Sequence, residues 1–135
     1  MNTLAGLLAA LAFGGMGFFS FVTAPLVFAK LPTEQASRFM REAFAIYYPV
    51  MAALTGLAAM VAPPFWTAAL LGLVCIGFLL AHLLLRPEVN RLMDQKAAGD
   101  VEAIGRFRRL HGVSQALNLA QFLVLFLVVF ATVNH

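Results

Sequence analysis

The residues in this chain that could do chemistry are few, and most sit on one stretch: His111, Ser114, Gln115, Asn118 and Gln121. On a helix at 100° per residue with His111 at zero, Asn118 falls at about −20°, Ser114 at about −60°, Gln121 at about −80° and Gln115 at about +40°. All five share about a third of the circumference. The remainder of the stretch, Phe122 to Val133, is almost wholly Leu, Val, Phe and Ala. Uncharged hydroxyl, amide and imidazole groups on such a helix can join neighbouring helices by hydrogen bonds worth about 0.6 kcal/mol each, or line a path for a small polar solute. His111 offers one further option. Paired with His82 on a neighbouring helix, it could ligate haem iron or a metal ion. Neither Glu-x-x-His nor His-x-x-x-His spacing accompanies the two histidines.

Other chemistry finds little support. Cys75 is the single cysteine, so the chain has no disulfide and no cysteine-based metal motif, and the residue reads as a small apolar packing group. His135 is terminal and receives no role. The sequence shows no Ser-His-Asp grouping, no phosphate-binding glycine loop and no paired carboxylates within an apolar segment, so catalysis by side chains alone is not indicated.

The elements that position these residues follow from charge. The chain has 135 residues, of which 62% are hydrophobic and 11% charged, where a soluble domain carries about 25% charged residues. All nine basic and all six acidic residues lie within 30–42 or 86–109. The first and last uncharged segments are each long enough for one bilayer crossing of about 20 residues, and the middle one, 43–85, is long enough for two. Pro63-Pro64 divides that middle segment, because proline cannot continue a helix. The resulting expectation is an all-α, single-domain integral membrane four-helix bundle with spans at about 4–29, 44–62, 65–85 and 110–133. Short interfacial helices are expected in the two charged loops, with Thr33 and Asp100 as N-caps. Retention of positive charge in the cytoplasm puts both loops there and both termini in the periplasm of a bacterial inner membrane. The first span lacks the basic start of a cleaved signal peptide and is read as retained.

Arg106, Arg108 and Arg109 lock this topology and face anionic headgroups, so the net charge of +3 points to lipid rather than nucleic acid. Gly6, Ala10 and Gly14, with Gly17 beside them, offer a small-residue face for helix packing or for a homo-oligomer through span one. Pro25 is expected to kink that span, and Arg86 to snorkel to the interface. No internal repeat is apparent.

Phe107-Arg108-Arg109-Leu110-His111-Gly112-Val113-Ser114, followed by Asn118-Leu119, resembles the F-x-x-x-H-G-x-S-x-x-x-N-L signature of the transmembrane protein 205-like family, a DUF4149-type domain of unknown function also found in bacteria. Phe28 with Leu31-Pro32 is similar to that family's F-x-x-L-P motif, and Phe44 with Tyr47-Tyr48 to its aromatic run into span two. Arg86-Pro87 stands where the family has an acidic-proline pair. The resemblance implies a four-span membrane protein without an assigned activity, and its motif singles out His111, Ser114 and Asn118.

Two functional readings follow: a non-enzymatic structural, accessory or transport-related membrane component, and a haem- or metal-binding redox or transfer protein using His111 and His82. The ligand reading predicts a Soret band or stoichiometric metal in the purified protein that is lost in His111→Ala. The first reading predicts a colourless, metal-free preparation, checked by an absorbance scan and metal analysis.

Overall fold

A computed structural model describes residues 3–134, so His135 lies outside the described residues. Every regular element among the described residues is helical. In chain order these are α1 (Thr3–Phe18), a π-helical turn (Phe19–Thr23), α2 (Ala24–Lys30), α3 (Thr33–Val61), α4 (Phe65–Leu80), a second π-helical turn (Ala81–Leu85), α5 (Arg86–Ala97) and α6 (Val101–Val133). The helices join end to end into four rods, Thr3–Lys30, Thr33–Val61, Phe65–Ala97 and Val101–Val133, each long and apolar enough to cross a membrane. Rods of 28 to 33 residues extend about 42–50 Å at 1.5 Å per residue, more than a hydrocarbon core of about 30 Å requires.

The surplus length lies at the charged end. α3 begins at Thr33 and passes through the amphipathic stretch and Pro49 without a break, so that stretch forms the first turns of the second rod and not a separate helix. Its cap also differs from expectation. Pro32 occupies the N-cap position and no side chain caps the helix. In the second charged segment, α5 continues the third rod and α6 starts nine residues earlier than the expected span, at Val101. Only Ala98–Asp100 turn the chain. Gly99 adopts φ 95°, the left-handed conformation glycine reaches without a Cβ clash. The Asp100 amide donates to the Gln95 carbonyl and the Gly99 amide to the Lys96 carbonyl, the paired bonds of a Schellman stop. Asp100 then caps the next helix, accepting from the Glu102 amide at 3.0 Å and the Ala103 amide at 3.3 Å. With the start fixed there, Arg106, Arg108 and Arg109 lie beyond the first turn, where the helix dipole opposes them little.

Short turns make successive rods antiparallel. α1 packs beside α3 and α6, and α4 packs beside the same two, so the first and third rods sit diagonally and run in parallel. Those two rods share a plan that residue identity conceals. Each has a 16-residue α-helix, a five-residue π-turn and a helix with proline as its second residue, Pro25 or Pro87. Proline removes a backbone donor and crowds the carbonyl one turn back. A widened turn precedes each of these prolines, one way a helix relieves that crowding, whereas Pro49 lies in α3 without one.

The core is narrow and built from small residues. Ala9, Ala12 and Met16 of α1 face Met51, Ala52 and Ala58 of α3, Leu71, Val74 and Phe78 of α4, and Leu125 and Val128 of α6. The outside is as apolar as the inside, with Leu7, Phe21, Leu57, Leu73, Leu84, Leu123 and Phe130 all exposed. Helices apolar all round are those that meet lipid or protein on every face.

The glycines divide by neighbour. A Cβ on Gly6 would lie 2.7 Å from Thr132 Cγ2, and one on Gly17 would lie 3.3 Å from the Phe122 ring, both on α6. A Cβ on Gly14 would meet nothing within 4 Å among the described residues. Thr132 cannot simply rotate away, because its hydroxyl donates to the Val128 carbonyl at 2.8 Å. Gly6→Ala is therefore expected to destabilise the purified protein by about 1–3 kcal/mol, the usual range for an overpacked contact. Gly14→Ala is expected to be neutral or stabilising by up to about 1 kcal/mol, the helix-propensity difference. Thermal unfolding of the two variants in detergent checks the contrast.

Candidate functional site

At the charged end of the bundle the four rods part to form a cleft of about 130 Å³. The first rod contributes Phe19, Ser20 and Ala24, α3 contributes Phe44 and Tyr48, the third rod contributes Leu85, Arg86, Val89 and Asn90, and α6 contributes His111, Ser114, Gln115 and Asn118. Residues from both π-turns line it. The widened turns carry Ser20 and Leu85, and Arg86 opens the helix that follows the second.

The polar stripe of α6 enters this cleft and descends below it. His111 and Gln115 are exposed at the mouth, with His111 Nε2 3.5 Å from Gln115 Nε2. The imidazole stacks on Phe107 at a centroid distance of 5.8 Å, and Lys96 Nζ lies 4.9 Å from the same ring. Ser114 is part-buried on the cleft wall. Asn118 donates to Ser20 Oγ at 3.0 Å, joining α6 to the first π-turn. Gln121, 6% exposed, lies under the cleft and donates to the Val74 carbonyl of α4 at 3.0 Å. Of these five residues of similar wheel angle, Asn118 and Gln121 bond to different rods at different depths, while His111 and Gln115 pair on α6 itself.

An aromatic cluster forms one wall. Phe19 stacks on Tyr47 at 4.4 Å and meets Phe44 edge-on at 5.3 Å, and Phe44 stacks on Tyr48 at 5.1 Å. Arg86 also lines the cleft; it makes no ion pair with any described residue, and its buried Nε finds no hydrogen-bond partner. None of the described residues lining the cleft is an Asp or Glu. Nearby carboxylates are engaged elsewhere. Asp94 accepts from Arg41 at 2.9 Å, and Glu88 is bonded by Arg91, which holds its carboxyl below the usual range. Arg106 lies 4.0 Å from Asp100, while Arg108 and Arg109 are exposed on α6 above the mouth.

His82 does not line this cleft. It sits in the second π-turn with a buried Nδ1 that lacks a partner, and the third rod lines the cleft with Leu85, Arg86, Val89 and Asn90 instead. Among the described residues no group of three or more His, Cys, Asp or Glu could hold a metal ion. Cys75 donates to the Ala52 carbonyl at 3.2 Å, tying α4 to α3.

Residues 7–98 match the family described as a domain of unknown function, DUF4149. The chain belongs to this family. No curated protein and no solved structure matches it. The DUF4149 match covers most of the first rod and all of the second and third, and it stops at the turn before α6. Ser20, Tyr48, Arg86 and Asn90 therefore fall inside the matched region, and the stripe of α6 falls outside it.

Ser20, Tyr48, Arg86 and Asn90 were absent from the sequence-derived site. A signal for two of them existed: Pro25 and Pro87 each end a long uncharged run near its charged boundary. Interruptions at corresponding positions of two halves point to a site between them.

Gln121 reaches α4 only because residue 77 is glycine, since a Cβ there would lie 2.6 Å from Gln121 Nε2. Gly77→Ala and Gln121→Leu are each expected to lower stability by about 1 kcal/mol, through a displaced or deleted interhelical bond of about 0.6 kcal/mol and local repacking. The double variant should cost less than the sum. A double-mutant cycle on thermal unfolding in detergent measures that coupling.

Proposed function

We propose that this protein is a non-enzymatic, multi-pass component of a bacterial inner membrane, of accessory or transport-related type, that receives a polar group in the cleft between its two helical pairs. The charged end faces the cytoplasm and both termini face the periplasm, because basic residues are retained on the cytoplasmic side. In this orientation the first turns of α3 and α5 lie at the headgroup layer and act as interfacial segments.

The observation that carries the reading is the cleft itself. It is a polar recess lined by all four rods, in a bundle whose surface away from the charged end is largely apolar. Polar groups at bilayer depth turn toward protein or a wet cavity, since hydrocarbon satisfies none of their hydrogen bonds. Recesses between repeated halves with interrupted helices are where small membrane bundles hold solutes. The outward-facing Gly14 on the first rod leaves a surface for a second copy, which would bring two clefts into one assembly.

Orientation and wetness are tested together by cysteine labelling in a Cys75→Ala background. Ser114→Cys should react with a membrane-impermeant maleimide supplied from the side of Arg91 and not from the side of Pro63. Leu119→Cys, which is 56% exposed on the apolar surface, should stay unlabelled from both. Equal labelling of the two sites, or reporter fusions that put Pro63 and Arg91 in one compartment, would reject the reading.

A further inference from the structure

We propose that the cleft is an oxyanion site with Arg86 as its anchor, and that its ligand is a phosphate mono- or diester. The inference rests on the reading above for the cleft's place at the headgroup layer, and adds the chemical class of what enters it.

The first observation is the unpaired guanidinium. Arg86 is part-buried, forms no ion pair with any described residue, and has a buried Nε without an acceptor. Arginine stays protonated at all relevant pH and presents its donors in a fixed planar fork. Buried charges are as a rule paired, because an unmatched one is costly. A ligand bearing negative oxygen in the cleft would pair the guanidinium charge.

The second observation is the company Arg86 keeps. The other polar groups lining the cleft are hydroxyls, carboxamides and one imidazole, all able to donate a hydrogen bond. None of the described lining residues is a carboxylate, so nothing there competes for the cation or repels an anion. Ser20 already accepts from Asn118, which leaves its own hydroxyl hydrogen free to point into the cleft.

Size and shape select within the anions. A cleft of about 130 Å³ that is open at its mouth admits a phosphate group and the first atoms of its ester. Donors arrive from four different rods, and a tetrahedral group presents oxygens in several directions where a carboxylate presents two in one plane. The exposed Arg108 and Arg109 near the mouth raise the local concentration of anions.

Two sources share that chemistry: a phosphorylated lipid headgroup entering from the bilayer, and a soluble phosphate ester entering from the aqueous side. The test uses the full-length protein in detergent. Native mass spectrometry measures binding of phosphatidic acid and of the uncharged diacylglycerol with the same chains, and titration calorimetry measures binding of glycerol 3-phosphate. Phosphatidic acid should bind at least tenfold more tightly than diacylglycerol. Arg86→Gln should remove at least a tenfold share of that preference, while Arg38→Gln, outside the cleft and paired with Glu34, should change it less than twofold. Glycerol 3-phosphate binding with the same dependence on Arg86 would identify the soluble source. Its absence beside lipid binding would identify the headgroup.

Should Arg86→Gln fail to fold, the unsubstituted protein still decides. The Arg86 Nε–H resonance, assigned by its loss in Arg86→Lys, should shift downfield on adding phosphatidic acid or glycerol 3-phosphate. An unmoved resonance, or equal binding of phosphatidic acid and diacylglycerol with no binding of glycerol 3-phosphate, would overturn the assignment. The topology and the wet cleft would still stand if Ser114→Cys labelled as described, so the two failures are separable.

Discussion

A proline in a helix apolar enough to cross a membrane frees a backbone carbonyl that hydrocarbon will not satisfy, and in this protein Pro25 and Pro87 each stand just after a π-turn. Each π-turn begins 16 helical residues into its rod, so in two parallel rods the widening falls at the same level. A wider turn cannot pack as closely as a regular one. The rods separate there, and the polar residues of α6 find space that a regular bundle would have closed. Below that level the rods are regular and pack tightly on alanine and glycine; above it, α5 and α6 continue as a helical hairpin. The cleft is the boundary between the two regimes.

What holds the lower part together differs from a soluble core. Lipid is as apolar as leucine, so moving a side chain from lipid to the interior gains little, and close backbone approach has to supply the attraction. The small residues provide it. Gly56 faces Cys75, which in turn donates to the α3 backbone. Gly77 admits Gln121 to the α4 backbone. In both places a missing methyl on one helix allows a polar contact from another. Thr55 and Thr132 return their hydroxyls to carbonyls of their own helix, so they add no demand on their neighbours.

Much of this was legible in charge alone. The confinement of ionised residues to two segments defines four rods, Pro63-Pro64 marks the turn between the second and third, and Asp100 announces the start of the fourth. The site was legible only in part. A helical wheel assigns angle but neither depth nor neighbour, and so it grouped His111 at the exposed mouth with Gln121 beneath the floor. The same limit applies to Gly6 and Gly14. Four-residue steps drift by about 40° each on a helix of 3.6 residues per turn, and two steps carried the stripe from the α6 contact to the outer surface. Arg86 was read as a snorkelling end group because an apolar run stops there. Its unpaired position emerges only when the surroundings of its Nε are known. The repeat was invisible because it resides in backbone hydrogen bonding, with Phe19–Thr23 matched to Ala81–Leu85 without a shared residue at any of the five positions.

The division of the cleft between the family domain and the last helix has a structural consequence. Rods one to three supply the cation, the aromatic wall and one serine, yet they leave Ser20 and Arg86 facing an open side. α6 lines that side, and among the described residues its Asn118–Ser20 bond is the one direct hydrogen bond between the stripe and the first rod. The polar stripe is therefore as much a structural requirement as a candidate contact surface. An apolar helix in this place would bury the hydroxyl of Ser20 and the guanidinium of Arg86 against hydrocarbon, and the expense of those two groups would press the π-turns apart. Polarity on α6 and interruption of the first and third rods are thus one condition met from two sides. Each is tolerable in a bilayer only where the other faces it.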